Sequence, residues 1–272
     1  MRNNKPLLFA LMGATGGSLG ALVAEFMPDF ASGTISLALF TGAWSATFAA
    51  VLTVFLIWAG EIYRRGPRPS IAMIRKSLVS GAISGAIAGA IAQGVYSIQM
   101  KSDFVRELVF KPLCWGVMGV LLGWKFSCSI PNLGFKRAAI GGMIGGIMGG
   151  VGFVVAAIYI PEVLGRMIGV GLLGLSLGLS IVTAETLFRP ASFEVIWGPK
   201  ENISVTLGDR PVSIGGGDDH VYLPDLGPSV ASVSLSNGKI YYTDNASKKR
   251  TELRDGSKLE IGKVTVVVHA KK

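Results

Sequence analysis

The stretch Ala139–Gly152, AIGGMIGGIMGGVG, restricts this chain more than any other. Gly142, Gly146 and Gly150 recur every four residues, and so do Gly141, Gly145 and Gly149. Residues four apart share one helix face, so the pattern predicts a helix with a groove free of side chains, flanked by Ile and Met. In water such a helix is poor, because each Gly costs about 1 kcal/mol relative to Ala. In a bilayer the backbone must bond to itself, so the helix persists and the groove admits a close neighbour. Helix packing of the glycine-zipper kind is the first reading. A path for gas, lipid or ions along the groove is the alternative.

The pattern recurs. Gly81, Gly85 and Gly89 match Gly142, Gly146 and Gly150 at one constant offset, and Gly13, Gly16, Gly17 and Gly20 match Gly142, Gly145, Gly146 and Gly149 at another. A second small-residue spacing follows each copy: Gly42, Ser45, Ala49; Gly116, Gly119, Gly123; Gly171, Gly174, Gly178. These matches predict three copies of a two-helix unit, at about 6–58, 71–125 and 136–187. The expected packing residues are Gly13, Gly17, Gly81, Gly85, Gly89, Gly119, Gly123, Gly142, Gly146, Gly150, Gly174 and Gly178. Three hairpins of one orientation imply a pseudo-threefold axis along the membrane normal. Mitochondrial carriers resemble this in architecture only, since their Pro-x-acidic-x-x-basic signature is not present in these repeats.

Composition agrees with a polytopic membrane protein carrying a soluble segment. Of 272 residues, 16% are charged and the mean hydropathy is +0.52; soluble domains carry roughly 25% charge. Residues 1–190 hold 15 Lys and Arg against 7 Asp and Glu, and residues 191–272 hold 11 against 10. The basic excess therefore flanks membrane helices, where it sets topology, and a nucleic-acid partner is not expected. Cys114 and Cys128 read as free thiols.

In order, the first helix is expected at about 6–26, the second at 34–58, the third at 77–98, a brief fourth at 112–124, the fifth at 138–160 and the sixth at 167–187. A signal peptide is the rival for the first. Lys101–Lys111 alternates charges and predicts a short interfacial helix, with a possible kink at Pro112. Eleven Lys and Arg (Arg2, Lys5, Arg64, Arg65, Arg68, Arg75, Lys76, Lys125, Lys136, Arg137, Arg189) fall on one side, against Lys101, Arg106, Lys111 and Arg166 on the other. The asymmetry places both termini in the cytoplasm of a multi-pass protein of the inner (plasma) membrane.

After Arg189-Pro190 the chain turns to short runs rich in Val, Ile and Tyr: FEVIW, ISVTL, PVSIG, HVYL, VASVSL, KIYYTD, KLEIG and KVTVVVHA. Turn signals such as Asn237-Gly238 and Asp255-Gly256 separate them. An all-β sandwich over 191–272 follows. Val212-Ser213-Ile214-Gly215, Asp219 to Pro224, Ser229 to Val233, Tyr242 to Asn245 and Leu253-x-Asp255-Gly256-x-x-Leu259-x-Ile261-Gly262 stand in an order and spacing that resembles a forkhead-associated (FHA) domain. The resemblance implies a cytoplasmic module that recruits a protein partner, in family binders through phosphothreonine. Those binders place Arg after the Ile-Gly, where this chain has Gly216, and carry Ser-Arg-x-His where it reads Ser229-Val230-Ala231-Ser232. The missing cation and imidazole point to docking without phosphate. The partner-binding residues expected from the resemblance are Gly216, Asp218, Ser229, Ser232, Asn245 and Lys248.

Nothing suggests catalysis. Both histidines, His220 and His269, lie in the β segment, so an intramembrane Ser–His protease or a His-ligated metal centre lacks its residues. Gly215-Gly216-Gly217-Asp218 lacks the Lys-Ser/Thr and following helix of a phosphate loop. Glu25, Glu61, Arg166 and Glu185 read as helix-end charges reaching headgroups, and Gln93 as an interhelical hydrogen bond. The expectation is a lipid-embedded, non-enzymatic anchor or scaffold without cofactor, able to oligomerise, that presents the FHA-like domain to a protein. The alternative is a channel or transporter gated through that domain.

Overall fold

The computed structural model describes residues 4–28, 33–66, 69–97, 105–129, 132–160, 162–198, 201–208, 210–217 and 219–270. Arg2, Arg68, Lys101, Pro161 and Asp218, and the side chains of Arg106 and Cys128, lie outside the described residues.

Six helices come first: α1 (Lys5–Glu25), α2 (Thr34–Arg64), α3 (Ile71–Tyr96), α4 (Lys111–Ser129), α5 (Phe135–Tyr159) and α6 (Glu162–Leu187). All six are long and apolar enough to cross a membrane, making this a multi-pass membrane protein. Several boundaries differ from expectation: the sixth helix starts five residues early, at Glu162, and the second and third extend through turns that include the charged residues Glu61, Arg64, Arg75 and Lys76. The second helix runs past Trp58 to Arg64. The third starts at Ile71, where Ser70 caps it by accepting from the Met73 N–H at 3.1 Å. The fourth is longer than expected. A π-helical turn, Arg106–Phe110, leads straight into Lys111, and the helix passes Pro112 to Ser129. Proline removes one backbone donor and crowds the preceding turn, and a π turn beside it is a recognised way to widen the helix.

The helices form a ring in chain order, closed by α1 against α6. Backbone approaches at glycine line five of its seams, including α1–α2 through Gly16 and Gly20 and α5–α6 through Gly141, Gly145 and Gly149. A Cβ on Gly13 or Gly17 would collide with the Gly174 or Val170 carbonyl, and one on Gly174 or Gly178 with Gly13 or Phe9. At the α2–α3 seam, Gly81, Gly85 and Gly89 lie on Ala49, Ser45 and Thr41. At the α4–α5 seam, Gly119 and Gly142 face each other, Gly123 meets Ala138, Gly146 meets Trp115 and Gly116, and Gly150 meets Pro112. The ring's interior is filled: Phe48, Leu52, Leu56, Met118, Leu122, Leu173, Leu177 and Ile181 are all buried. Outward, Ile83, Ile87, Ile144, Met148 and Ile158 are exposed, an apolar surface suited to lipid.

From α6 the chain enters the β region within three residues. Its strands are β1 (Ala191–Gly198), β2 (Glu201–Leu207), β3 (Val212–Gly215), β4 (Val221–Tyr222), β5 (Ala231–Ser236), β6 (Lys239–Asp244), β7 (Lys249–Leu253), β8 (Lys258–Ile261) and β9 (Val264–Ala270). One sheet has the order β2-β1-β9-β8 and the other β4-β3-β5-β6-β7. Alternate residues fill a common core: Phe193, Val195, Val205 and Val266 from the first, Val212, Ile214, Val233 and Ile240 from the second. The β5–β6 hairpin turns through Asn237 and Gly238, both at positive φ (50° and 74°), as an Asn-Gly turn requires. β7 was not among the expected strands. Four of its five residues are exposed, so it carries no apolar alternation.

Candidate functional site

Two features of the β region define the site: its attachment to the helices and the loop cluster beside it. The attachment uses β2, an edge strand whose outward N–H and C=O groups would otherwise be unpaired. The Tyr63 hydroxyl, near the end of α2, accepts from the Ser204 N–H at 2.8 Å and lies 3.2 Å from the Ser204 carbonyl, to which it donates. Asn132 donates from Nδ2 to the Thr206 and Arg210 carbonyls at 3.3 and 3.0 Å, and its Oδ1 accepts from the Arg210 N–H at 3.2 Å. Arg189 Nη1 donates to Ser204 Oγ at 2.7 Å.

Beneath this edge lies Glu185, 3% exposed. Its carboxylate accepts from Lys5 Nζ at 2.6 and 2.8 Å and from Thr206 Oγ1 at 3.0 Å. Lys5 also sits over the Tyr63 ring, 5.0 Å from its centroid. One buried acid thereby ties α1, α6 and β2 together. This corrects the expectation that Glu185 reaches a headgroup. Glu25 likewise pairs with Arg166, through two bonds of 2.6 and 2.7 Å, and Glu61 with Arg64. Gln93 makes the expected interhelical bond, accepting from Thr41 Oγ1 at 3.3 Å. A second contact lies at the end of α2, where the Arg65 guanidinium stacks 4.2 Å over the Trp197 ring and Nη2 bonds Glu201 at 2.6 Å.

Three loops meet beside the second sheet, through residues 215–217 and 219, 223–230 and 244–248. The centre is Asp219, whose Oδ2 accepts from the Ser229 N–H at 2.8 Å and the Gly217 N–H at 3.3 Å. Asn245 Nδ2 donates to the Ser229 carbonyl at 2.7 Å and to its hydroxyl at 3.2 Å, and its own N–H bonds the Val230 carbonyl. Ser229 and Asn245 are thus brought together, with Lys248 exposed in the same turn as Asn245. Ser232 stands apart, within β5 opposite Ser213 and Thr243, so it is a strand residue and not part of a loop. Gly216 is closed over: its N–H bonds the Gly227 carbonyl at 2.9 Å, and a Cβ there would collide with the Leu226 carbonyl. An Arg has no room at this position in the present loop conformation.

His220 pins the first loop. Its Nδ1 accepts from the Ser213 N–H at 3.1 Å and its N–H bonds Ser213 Oγ at 3.2 Å, so the neutral ring carries its proton on Nε2. Burial pushes its pKa below the ordinary value, and the Arg64 guanidinium adds to this; Asp219 pulls the other way. Among the described residues no group of three His, Cys, Asp or Glu could hold a metal ion.

The attachment was missed by sequence reasoning, since Tyr63, Asn132 and Glu185 carry no pattern that names their partners. The short passage from α6 to β1 was the one available signal. No family model, curated protein or solved structure matches the chain.

Proposed function

We propose that this protein is a membrane anchor that holds an FHA-like domain at the cytoplasmic face and recruits a protein partner through its loop cluster without requiring phosphothreonine. The observation that carries this reading is the division of labour within the β region. Its vulnerable edge, β2, is spent on the helices, whereas Ser229, Asn245 and Lys248 remain exposed. Docking by an edge strand and several side chains fixes the orientation of the loops relative to the bilayer, which a flexible tether cannot do.

The closed-over Gly216, the position of Ser232 on a strand and the carboxylate of Asp219 at the cluster's centre all weigh against a phosphate dianion, which needs charge-assisted donors. The filled interior of the ring weighs against the channel reading. The seams support a three-fold repeat: α1 lies on α6, α3 on α2 and α5 on α4, so each repeat's first helix packs its glycines on the second helix of the repeat before it, cyclically. Cytoplasmic termini rest on the eleven-to-four Lys and Arg asymmetry.

Affinity capture from membranes, with the full chain and with a chain ending at residue 190, tests the proposal. The full chain should retain a stoichiometric protein partner that the shortened chain loses. Equal recovery by both would refute it.

A further inference from the structure

One seam of the ring is loose. At α3–α4 the adjoining helices make the least contact of any neighbours. Gly81, Gly85 and Gly89 of α3 face α2, and Gly116, Gly119 and Gly123 of α4 face α5. Where α5 turns Gly141, Gly145 and Gly149 onto α6, the same constant offset gives α3 Ser80, Ser84 and Ala88. Side chains thus stand where glycine allows close approach elsewhere. A cavity of about 250 Å³ opens between α2, α3 and α4, toward the end of the ring remote from the β region.

A hydroxyl in this cavity has nothing to bond. Ser45 is 3% exposed and lines the cavity beside Gly89. A hydroxyl inside a helix commonly turns back on the carbonyl four residues earlier. Thr47, Thr53, Ser77 and Ser84 each do so here, at 2.7–3.0 Å. Thr41, one turn before Ser45, bonds Gln93 across the helices at 3.3 Å. Ser45 Oγ has no hydrogen-bond partner among the described residues. A polar group buried in this way destabilises the protein unless something supplies the missing bond.

The rest of the cavity says what that is. Its other wall is apolar, from Ala88, Ala92, Trp115 and Met118. Trp115 packs on Phe48 and Phe153, at 5.8 and 5.4 Å between ring centroids, so the cavity ends blind against the core. No acidic side chain lines it among the described residues, and Lys111 at its rim already lies against the Tyr96 and Phe153 rings. An ion therefore gains nothing by entering. Water needs two to four polar partners, and Thr41 and Gln93 are spent on each other. A helix, about 10–12 Å across, is too wide. A slender neutral chain with one oxygen satisfies both walls.

We propose that this cavity binds a neutral amphiphile, a single hydrocarbon chain bearing a hydroxyl, with that oxygen hydrogen-bonded to Ser45 Oγ and the chain against Ala92, Trp115 and Met118. The volume lies just below the roughly 300–1,000 Å³ of ordinary small-molecule sites, as a single chain requires. This inference stands independently of the partner recruited by the β region.

Cys114 supplies the reporter: it lines the cavity, half-buried, with its thiol 3.7 Å from the Ala92 carbonyl. The full chain is purified in detergent, and peptide mass spectrometry follows the rate of N-ethylmaleimide addition to Cys114. At equal micellar concentration, 1-octanol should slow the reaction at least fivefold. Octane, without the hydroxyl, and octanoate, with a charge in its place, should each slow it far less, and 1-butanol, too short for the wall, hardly at all. Ser45→Ala should bring 1-octanol down to the level of octane, while its Tm equals or exceeds that of wild type, because the lost hydroxyl had no partner. Equal slowing by 1-octanol and any of the other three compounds would overturn the proposal. So would no slowing by 1-octanol, a preference for 1-octanol that survives in Ser45→Ala, a lowered Tm in that variant, or a Cys114 that never reacts, which would mean a closed cavity.

Discussion

Replacing Gly146 by Ala isolates the glycine contacts from everything else in the ring. The new Cβ would collide with the Trp115 carbonyl oxygen and stand 2.9 Å from both the Gly116 Cα and the Trp115 carbonyl carbon. Non-bonded carbons prefer about 3.5–4.0 Å, so α4 must retreat by roughly that shortfall, and neither backbone can bend a side chain out of the way. Retreat also loosens the Gly142–Gly119 approach on the same pair of helices. Overpacking of this kind costs about 1–3 kcal/mol, offset by up to about 1 kcal/mol of helix propensity gained on replacing Gly. Gly94 is the internal control, because a Cβ there meets nothing within 4 Å. Gly94→Ala should therefore be neutral or stabilising. Unfolding in detergent, followed by tryptophan fluorescence, reads the difference directly, as Trp115 sits at the altered contact. Gly146→Ala should unfold earlier than wild type, and Gly146→Leu earlier still. If Gly146→Ala and Gly94→Ala proved equally stable, the glycines would not be packing surfaces.

Three further outcomes concern the β region, two at its attachment and one at His220. Glu185→Gln leaves Lys5 without its counter-charge; breaking a buried pair from one side costs about 3–5 kcal/mol, and the partial exposure of Lys5 puts the expected loss at the lower end, read as a fall in Tm and faster proteolysis at residues 188–190. Tyr63→Phe strips the Ser204 N–H of its partner and should cost about 1–3 kcal/mol, with the same proteolytic signature. Acidification should also destabilise the protein through His220: the folded state binds this proton less tightly than the unfolded chain. Its contribution is complete above the ordinary His value of about 6.5 and declines as pH falls below it toward the depressed folded value. A pH series of Tm should show the decline, flattened in His220→Gln.

The sequence made the architecture legible wherever burial follows a local period. Apolar length marked the six helices, and Asn237-Gly238 marked a hairpin that takes the expected backbone geometry. Local pattern failed where an element is defined by its neighbours. β7 is held by pairing with β6 while nearly all its side chains face solvent. The helices ending at Arg64 and starting at Ile71 take in the charged residues Glu61, Arg64, Arg75 and Lys76, whose charge suggested a loop. In the loop cluster the order of residues put Ser229, Ser232 and Asn245 among loops; Ser229 and Asn245 lie together at turns, whereas Ser232 lies within β5. Glu185 looked like any acid near a helix end; only the arrival of Lys5 and Thr206, from distant parts of the chain, makes it a buried junction.

The central claim concerns recruitment through the exposed loops, and photocrosslinking at one of them tests it at the site itself. A photoreactive amino acid replaces Lys248, in the exposed turn beside Asn245, in the full chain in intact membranes, with or without prior phosphatase treatment. The account predicts one discrete protein adduct from this position, in equal yield under both conditions. An adduct that disappears after phosphatase, or no adduct at Lys248 at all, would contradict it.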